Sequence, residues 1–149
     1  MKQELIAVFN KQSDLLVKAL LQLEKIHKKI ETSEMDPNFS KEECFEILTS
    51  RFSRVSDLYT QKLLSFLFRL LQEPDLSFID KCQRLEKLGL TNSVKELYDI
   101  RSIRNQITHE YALDDLEEIH QAVMQGTPHL IALVQKTILY IKGLLKNIR

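Results

Sequence analysis

Apolar residues recur at three- and four-residue steps along nearly the whole chain, the spacing that lines one face of an α-helix. From Gln3 to about Glu31 the stripe is Ile6, Phe9, Ser13, Leu16, Leu20, Leu23 and Ile30, which predicts a long amphipathic first helix. It stops in Thr32-Ser33-Glu34-Met35-Asp36-Pro37-Asn38, a polar, proline-containing loop. Ser40 followed by Glu43 has the spacing of a capping box and opens a second helix, which Glu73-Pro74-Asp75 ends after about Gln72. The first half of this helix carries an ordinary stripe, Phe45, Leu48, Phe52, Val55 and Tyr59. In the second half, nine of the fourteen residues from Leu58 to Leu71 are apolar, too many for a single face. Such a segment is either central in a bundle or shared between a core and a subunit interface.

A short helix is expected from Phe78 to Leu88, with Gly89 just past its end. Thr91 or Asn92 is positioned to cap a fourth helix with Val94, Leu97, Tyr98, Ile100 and Ile103 on its apolar side, fraying near His109 to Tyr111. Asp114 with Glu117 resembles a further cap. Gly126-Thr127-Pro128 reads as an interruption, with Pro128 in the first turn of a last helix reaching Ile148. The expected architecture is a single domain over residues 1–149, all-α, an antiparallel four-helix up-and-down bundle with a short extra helix. Apolar positions on the second and final helices exceed what one interior needs, so a two-fold homodimer is expected.

Composition narrows the function more than the fold. Six of 149 residues are Gly or Pro, against about 12% in average proteins, which leaves few turns and removes an all-β reading. Lys and Arg number 21, as do Asp and Glu, so no bulk field draws the chain to nucleic acid and any such contact needs a local groove. No apolar run approaches the ~20 residues of a membrane span, and the first residues lack the form of a secretory signal. Cys44 and Cys82 cannot staple a scaffold and read as small hydrophobes, so a reducing, cytoplasmic setting is expected.

Two Glu-x-x-His pairs, Glu24 with His27 and Glu117 with His120, supply half of a di-iron bundle signature. The other half, an inward Glu on each of two further helices, is missing. From Arg51 to Gln72 the single acid is Asp57, so no metal or other cofactor is expected. His129 reads as a surface residue at a helix start.

The stretch Arg101-Ser102-Ile103-Arg104-Asn105-Gln106-Ile107-Thr108-His109-Glu110-Tyr111 carries the chemistry. On a helix, Arg101, Asn105 and His109 share one stripe, and Arg104, Thr108 and Tyr111 share its neighbour. Arg104 and His109 point about 140° apart at 100° per residue. They converge if the arginine folds across a groove, if the helix ends near His109, or if two copies meet on a dimer axis. An imidazole takes and gives protons near neutral pH, and a guanidinium stabilises charge building on a phosphate. Asn105, one turn before His109, is placed to orient the ring. The same residues also fit a plainer role, with His109 closing a helix and Arg104 in a surface ion pair. Residues 51–69 add four basic groups against one acid, Asp57, which is placed to pair with Arg54 or with an interface arginine.

Arg104-Asn105-x-x-x-His109-x-Tyr111 resembles the Arg-x-x-x-x-His-x-Tyr motif of the HEPN superfamily, in particular HepT-like proteins, also called nucleotidyltransferase substrate-binding proteins. The resemblance extends to the chain length, the helix order, Arg51-Phe52-Ser53-Arg54-Val55-Ser56-Asp57-Leu58, and Leu85-Glu86-Lys87-Leu88-Gly89 ahead of the motif helix. It implies a dimeric toxin of a prokaryotic toxin–antitoxin pair, a metal-independent endoribonuclease whose motif Arg and His meet at the dimer interface. Arg104 then holds the scissile phosphate, and His109 activates the ribose 2′-hydroxyl to leave a cyclic phosphate. Tyr111 accepts AMP groups from a partner minimal nucleotidyltransferase (MNT), the antitoxin, and the added phosphates repel RNA. Arg101, Asn105 and Asp57 are supporting residues. The alternative is a non-catalytic subunit that presents substrate to a nucleotidyltransferase through the same groove.

Overall fold

The computed structural model describes residues 1–109 and 116–148. Among these the chain is all-α: α1 (Lys2–Glu31), α2 (Lys41–Leu58), a π-helical turn (Tyr59–Leu63), α3 (Leu64–Leu70), α4 (Phe78–Lys87), α5 (Lys95–His109) and α6 (Leu116–Lys146). Helix ends follow the local chemistry. Ser40 accepts the Glu43 N–H while the Glu43 side chain accepts the Ser40 N–H, completing the expected capping box. At the end of α4, Gly89 (φ +76°) lets the Leu90 N–H reach the Leu85 carbonyl at 3.0 Å, and the two buried leucines close the cap. Thr91 and Asn92, expected as caps of α5, lie ahead of it; the Glu96 carboxylate reaches back to both, and Ser93 accepts the Lys95 N–H.

The second helix is longer than its label, because α2, the π turn and α3 run on without a break. The π turn arises where the Leu64 N–H bonds to Tyr59 five residues back, which inserts one extra residue into the helix. Tyr59, Leu63, Leu64, Leu67 and Phe68 are all buried. Within a single chain much of this segment is thus covered: α1 packs on the π turn, and α1, α5 and α6 all pack on α2 ahead of it. Tyr59 takes its hydroxyl into the core, where it bonds Thr137 at 2.9 Å. Thr137 already donates to the Leu133 carbonyl, so Tyr59 is the donor, and burial holds the phenol far above its usual titration range.

The expected interruption at Gly126-Thr127-Pro128 is absent: α6 runs through it unbroken. A proline inside a helix removes one N–H and leaves the carbonyl four residues earlier without a partner. Here that carbonyl belongs to Met124, and His27 of α1 bonds it through Nε2 at 2.9 Å. Its neighbour Thr127 donates to the Val123 carbonyl. Gly126 is the contact point with α5 and the central helix, since a Cβ there would lie 2.8 Å from Ile103 Cδ1 and 3.8 Å from the Phe52 ring. Both residues that looked like breakers thus serve tight helix packing. His27 meets Met124 while Ile6 and Phe9 share a groove with Leu139 and Gly143, so α1 and α6 run antiparallel.

His27→Ala, which orphans the Met124 carbonyl, is expected to cost about 1–3 kcal/mol in urea denaturation. In a Pro128→Ala background, which restores the missing N–H, the same change should cost at least about 1 kcal/mol less. Equal costs in both backgrounds would show that His27 does not stand in for the proline.

Candidate functional site

Helix α5 offers two faces. Leu97 and Ile100 are buried against the rest of the chain. The opposite face, Tyr98, Arg101, Ser102, Asn105, Gln106 and His109, lines an open groove of about 450 Å³. Arg101, Asn105 and His109 therefore come together along one stripe, as their spacing requires. His109 is the last residue of α5 and is exposed. Arg101 is fixed by stacking over the Phe78 ring of α4, 4.2 Å from its centroid, which keeps its charge while limiting its motion.

Tyr98, Ser102 and Gln106 were not singled out by sequence. Tyr98 was assigned to the apolar side, yet it is 56% exposed. The signal that would have found it is its position three and seven residues before Arg101 and Asn105, on the same stripe.

Arg104 lies outside this groove. Its Nε and Nη2 donate to the two carboxylate oxygens of Asp57, each at 2.9 Å, bridging α5 to α2 across 47 residues of sequence. Asp57 thus pairs with Arg104 and not with Arg54, a correction to the simplest intrahelical reading: the carboxylate turns toward α5, where a planar guanidinium matches both its oxygens. The carboxylate holds the guanidinium even more firmly protonated. Nη1 of Arg104 bonds the Thr108 hydroxyl, which itself donates to the Arg104 carbonyl at 3.2 Å. The end-on Nη1/Nη2 edge remains the one that can meet a phosphate, by displacing Thr108. Within one chain Arg104 and His109 do not converge, consistent with their angular separation. Tyr111, and the cap expected at Asp114, lie outside the described residues.

The two Glu-x-x-His pairs have other occupations. His27 serves the Met124 carbonyl, and Glu117 pairs with Lys41 at 2.9 Å. His120 sits beside the Phe45 ring, with centroids 6.0 Å apart. Among the described residues no cluster of His, Cys, Asp or Glu is arranged to hold a metal ion. His129, expected at a helix start, lies well inside α6, where its Nδ1 is 3.5 Å from Glu96. Cys82 is a core residue whose thiol burial pushes toward the neutral form, and Cys44 is half-buried; both are free thiols. No helix among the described residues is long and apolar enough to cross a membrane.

Two measurements check this electrostatic arrangement. Asp57→Ala removes a partly exposed bidentate pair and strands Arg104, so about 1–2 kcal/mol of stability should be lost, readable by urea denaturation. For His120, burial lowers the pKa from its ordinary 6.5, and Lys41 adds to this while Glu117 partly offsets it. The unfolded chain therefore binds the proton first, so this residue's contribution is full above about pH 6.5 and declines as pH falls through the lower folded value. His120→Leu should flatten that part of the stability–pH curve; an unchanged slope would remove His120 as its source.

Compared with protein-family models, curated proteins and solved structures, the chain matches none, so the functional reading rests on its own residues.

Proposed function

We propose that this chain is a HEPN-type toxin of a prokaryotic toxin–antitoxin pair, an endoribonuclease neutralised by AMPylation from a partner minimal nucleotidyltransferase. The observation that carries the reading is the stripe of Arg101, Asn105 and His109 lining one open groove at the end of α5. An exposed imidazole on one stripe with a held guanidinium, in an open groove, suits cleavage of a phosphodiester by its own 2′-hydroxyl. His109 takes the proton from the 2′-oxygen as that oxygen attacks phosphorus. The bond to the 5′-oxygen breaks, that oxygen leaves with a proton from the His109 imidazolium or from water, and a 2′,3′-cyclic phosphate remains.

In this proposal the working unit is a two-fold homodimer of four-helix up-and-down bundles in the cytoplasm, with the C-terminal ends of the two α5 helices meeting across the axis. Pairing across the axis removes the angular conflict between Arg104 and His109, because the arginine of one copy serves the histidine of the other. Asp57 presets the Arg104 guanidinium, so that little side-chain entropy remains to be lost when phosphate arrives. AMP on Tyr111, two residues past His109 in sequence, adds negative charge that repels RNA.

One observation favours a second reading, the non-catalytic subunit that presents substrate to a nucleotidyltransferase. The side-on edge of Arg104 is already occupied by Asp57, which suits a structural tie as well as a catalytic one.

Expression of the chain alone in bacteria should arrest growth, and purified protein should cut RNA to cyclic-phosphate ends. His109→Ala, a change at an exposed helix end, should lower cleavage at least about 100-fold without altering the melting curve, as expected for loss of a general base. Unchanged cleavage would sink the enzyme, and RNA binding without any cleavage would establish the presenting subunit. With the partner nucleotidyltransferase, intact mass should rise by whole AMP units in the wild type and not in Tyr111→Phe.

A further inference from the structure

A second concavity, of about 300 Å³, lies between α1 and α2 and is lined by Leu15, Lys18, Ala19, Gln22, Arg51 and Arg54. Three of these six side chains are cations and none is an acid. Among the described residues, neither Lys18, Arg51 nor Arg54 makes an ion pair. Arg51 is nevertheless held in place, because its Nη1 donates to the Gln22 backbone carbonyl at 2.9 Å. A neutral acceptor orients the guanidinium without cancelling its charge. Asp57, the acid nearest along the helix, has both oxygens bonded to Arg104 and so is not spent on Arg54. In a chain with no net charge, three cations around one hollow, one of them oriented by a neutral acceptor, form a local positive field of the kind a polyanion seeks.

We infer that this hollow binds the phosphodiester backbone of a single RNA strand outside the α5 groove. Arg54 and Asp57 lie three residues apart on one helix face, about 4.5 Å along the axis. Asp57 in turn holds Arg104 of α5. A strand leaving the α5 helix past Arg104 therefore lies within reach of the three-cation hollow, with Asp57 already bonded to Arg104. Arg51, braced by the carbonyl, presents its remaining N–H groups to one phosphate, and Arg54 and Lys18 take its neighbours as less constrained charges. Such contacts hold and orient the strand without reading its bases. That the bound strand is the substrate rests on the proposed ribonuclease reading; that the hollow binds a phosphodiester chain does not.

The test is the affinity of full-length protein for a short fluorescent oligouridine, measured by anisotropy across a salt series in a His109→Ala background. Replacing Lys18, Arg51 and Arg54 together by Gln should weaken binding at least about tenfold and reduce the slope of log K against log salt by about 2, since each phosphate contact on a single strand contributes about 0.7. A control of equal charge, Lys2, Lys142 and Lys146 to Gln, removes the lysines of the apolar groove between α1 and α6 and should leave the slope unchanged. Lys18→Gln and Arg54→Gln alone, both at exposed positions, should each show part of the effect, which separates it from any loss of the Arg51 brace. Arg54→Lys should keep the slope. Equal effects of the two triple variants, or an unchanged slope in the first, would overturn the inference. Cleavage that depends on His109 beside RNA affinity indifferent to Lys18 and Arg54 would sink the hollow alone. The converse, a flattened slope with no His109-dependent cleavage, would sink only the ribonuclease.

Discussion

Over its second half the helix running from α2 through the π turn into α3 is enclosed except at the exposed Gln61, Lys62 and Arg69, and the neighbouring helices are arranged around that fact. A helix enclosed in this way can carry polar groups only where each finds a partner inside the protein. Tyr59 satisfies this with Thr137, whose own proton is already committed to Leu133. Thr60 returns its hydroxyl to the Ser56 carbonyl at the start of the π turn. Asp57 lies at the edge of the enclosed region, where one side still opens toward α5. Its carboxylate is consequently the natural point at which the core helix grips the helix that carries the candidate chemistry.

That grip sets the rotation of α5. With Arg104 drawn toward Asp57 and with Leu97 and Ile100 in the core, the stripe of Tyr98, Arg101, Asn105 and His109 has to face outward. Phe78 of α4 then braces Arg101 from the side. The groove is therefore a by-product of how α5 is anchored, through contacts of Arg104, Arg101 and Ile103 with α2, α4 and α6. Gly126 contributes from α6, because the missing side chain lets Ile103 approach closely.

Periodicity made the helices legible, since a 3.6-residue repeat is the direct imprint of one buried face. The Ser40/Glu43 box and the Gly89 terminus were equally readable because both act within a single turn. Three features were not. The π turn leaves no compositional mark, as its residues are ordinary helix formers. The continuity of α6 through Pro128 depends on His27, a residue 97 positions away that no local rule connects to it. The pairing of Asp57 with Arg104 is of the same kind: the sequence supplied both residues, but it left Arg54 and an interface arginine equally open as partners. At the candidate site, the stripe of Arg101, Asn105 and His109 followed from spacing alone, while Tyr98 was misassigned because an aromatic side chain fits a core as readily as a groove wall.

The π turn also constrains how this chain can change its length. Its wider turn absorbs one residue, so everything after it sits about 100° behind where an unbroken α-helix would carry it. Deleting one residue between Tyr59 and Leu63 would therefore restore a regular helix and keep Leu64, Leu67 and Phe68 in the contacts they now fill, whereas closing the turn without a deletion would swing them away. A one-residue deletion that would unseat the interior around any other buried helix is thus absorbed at this turn.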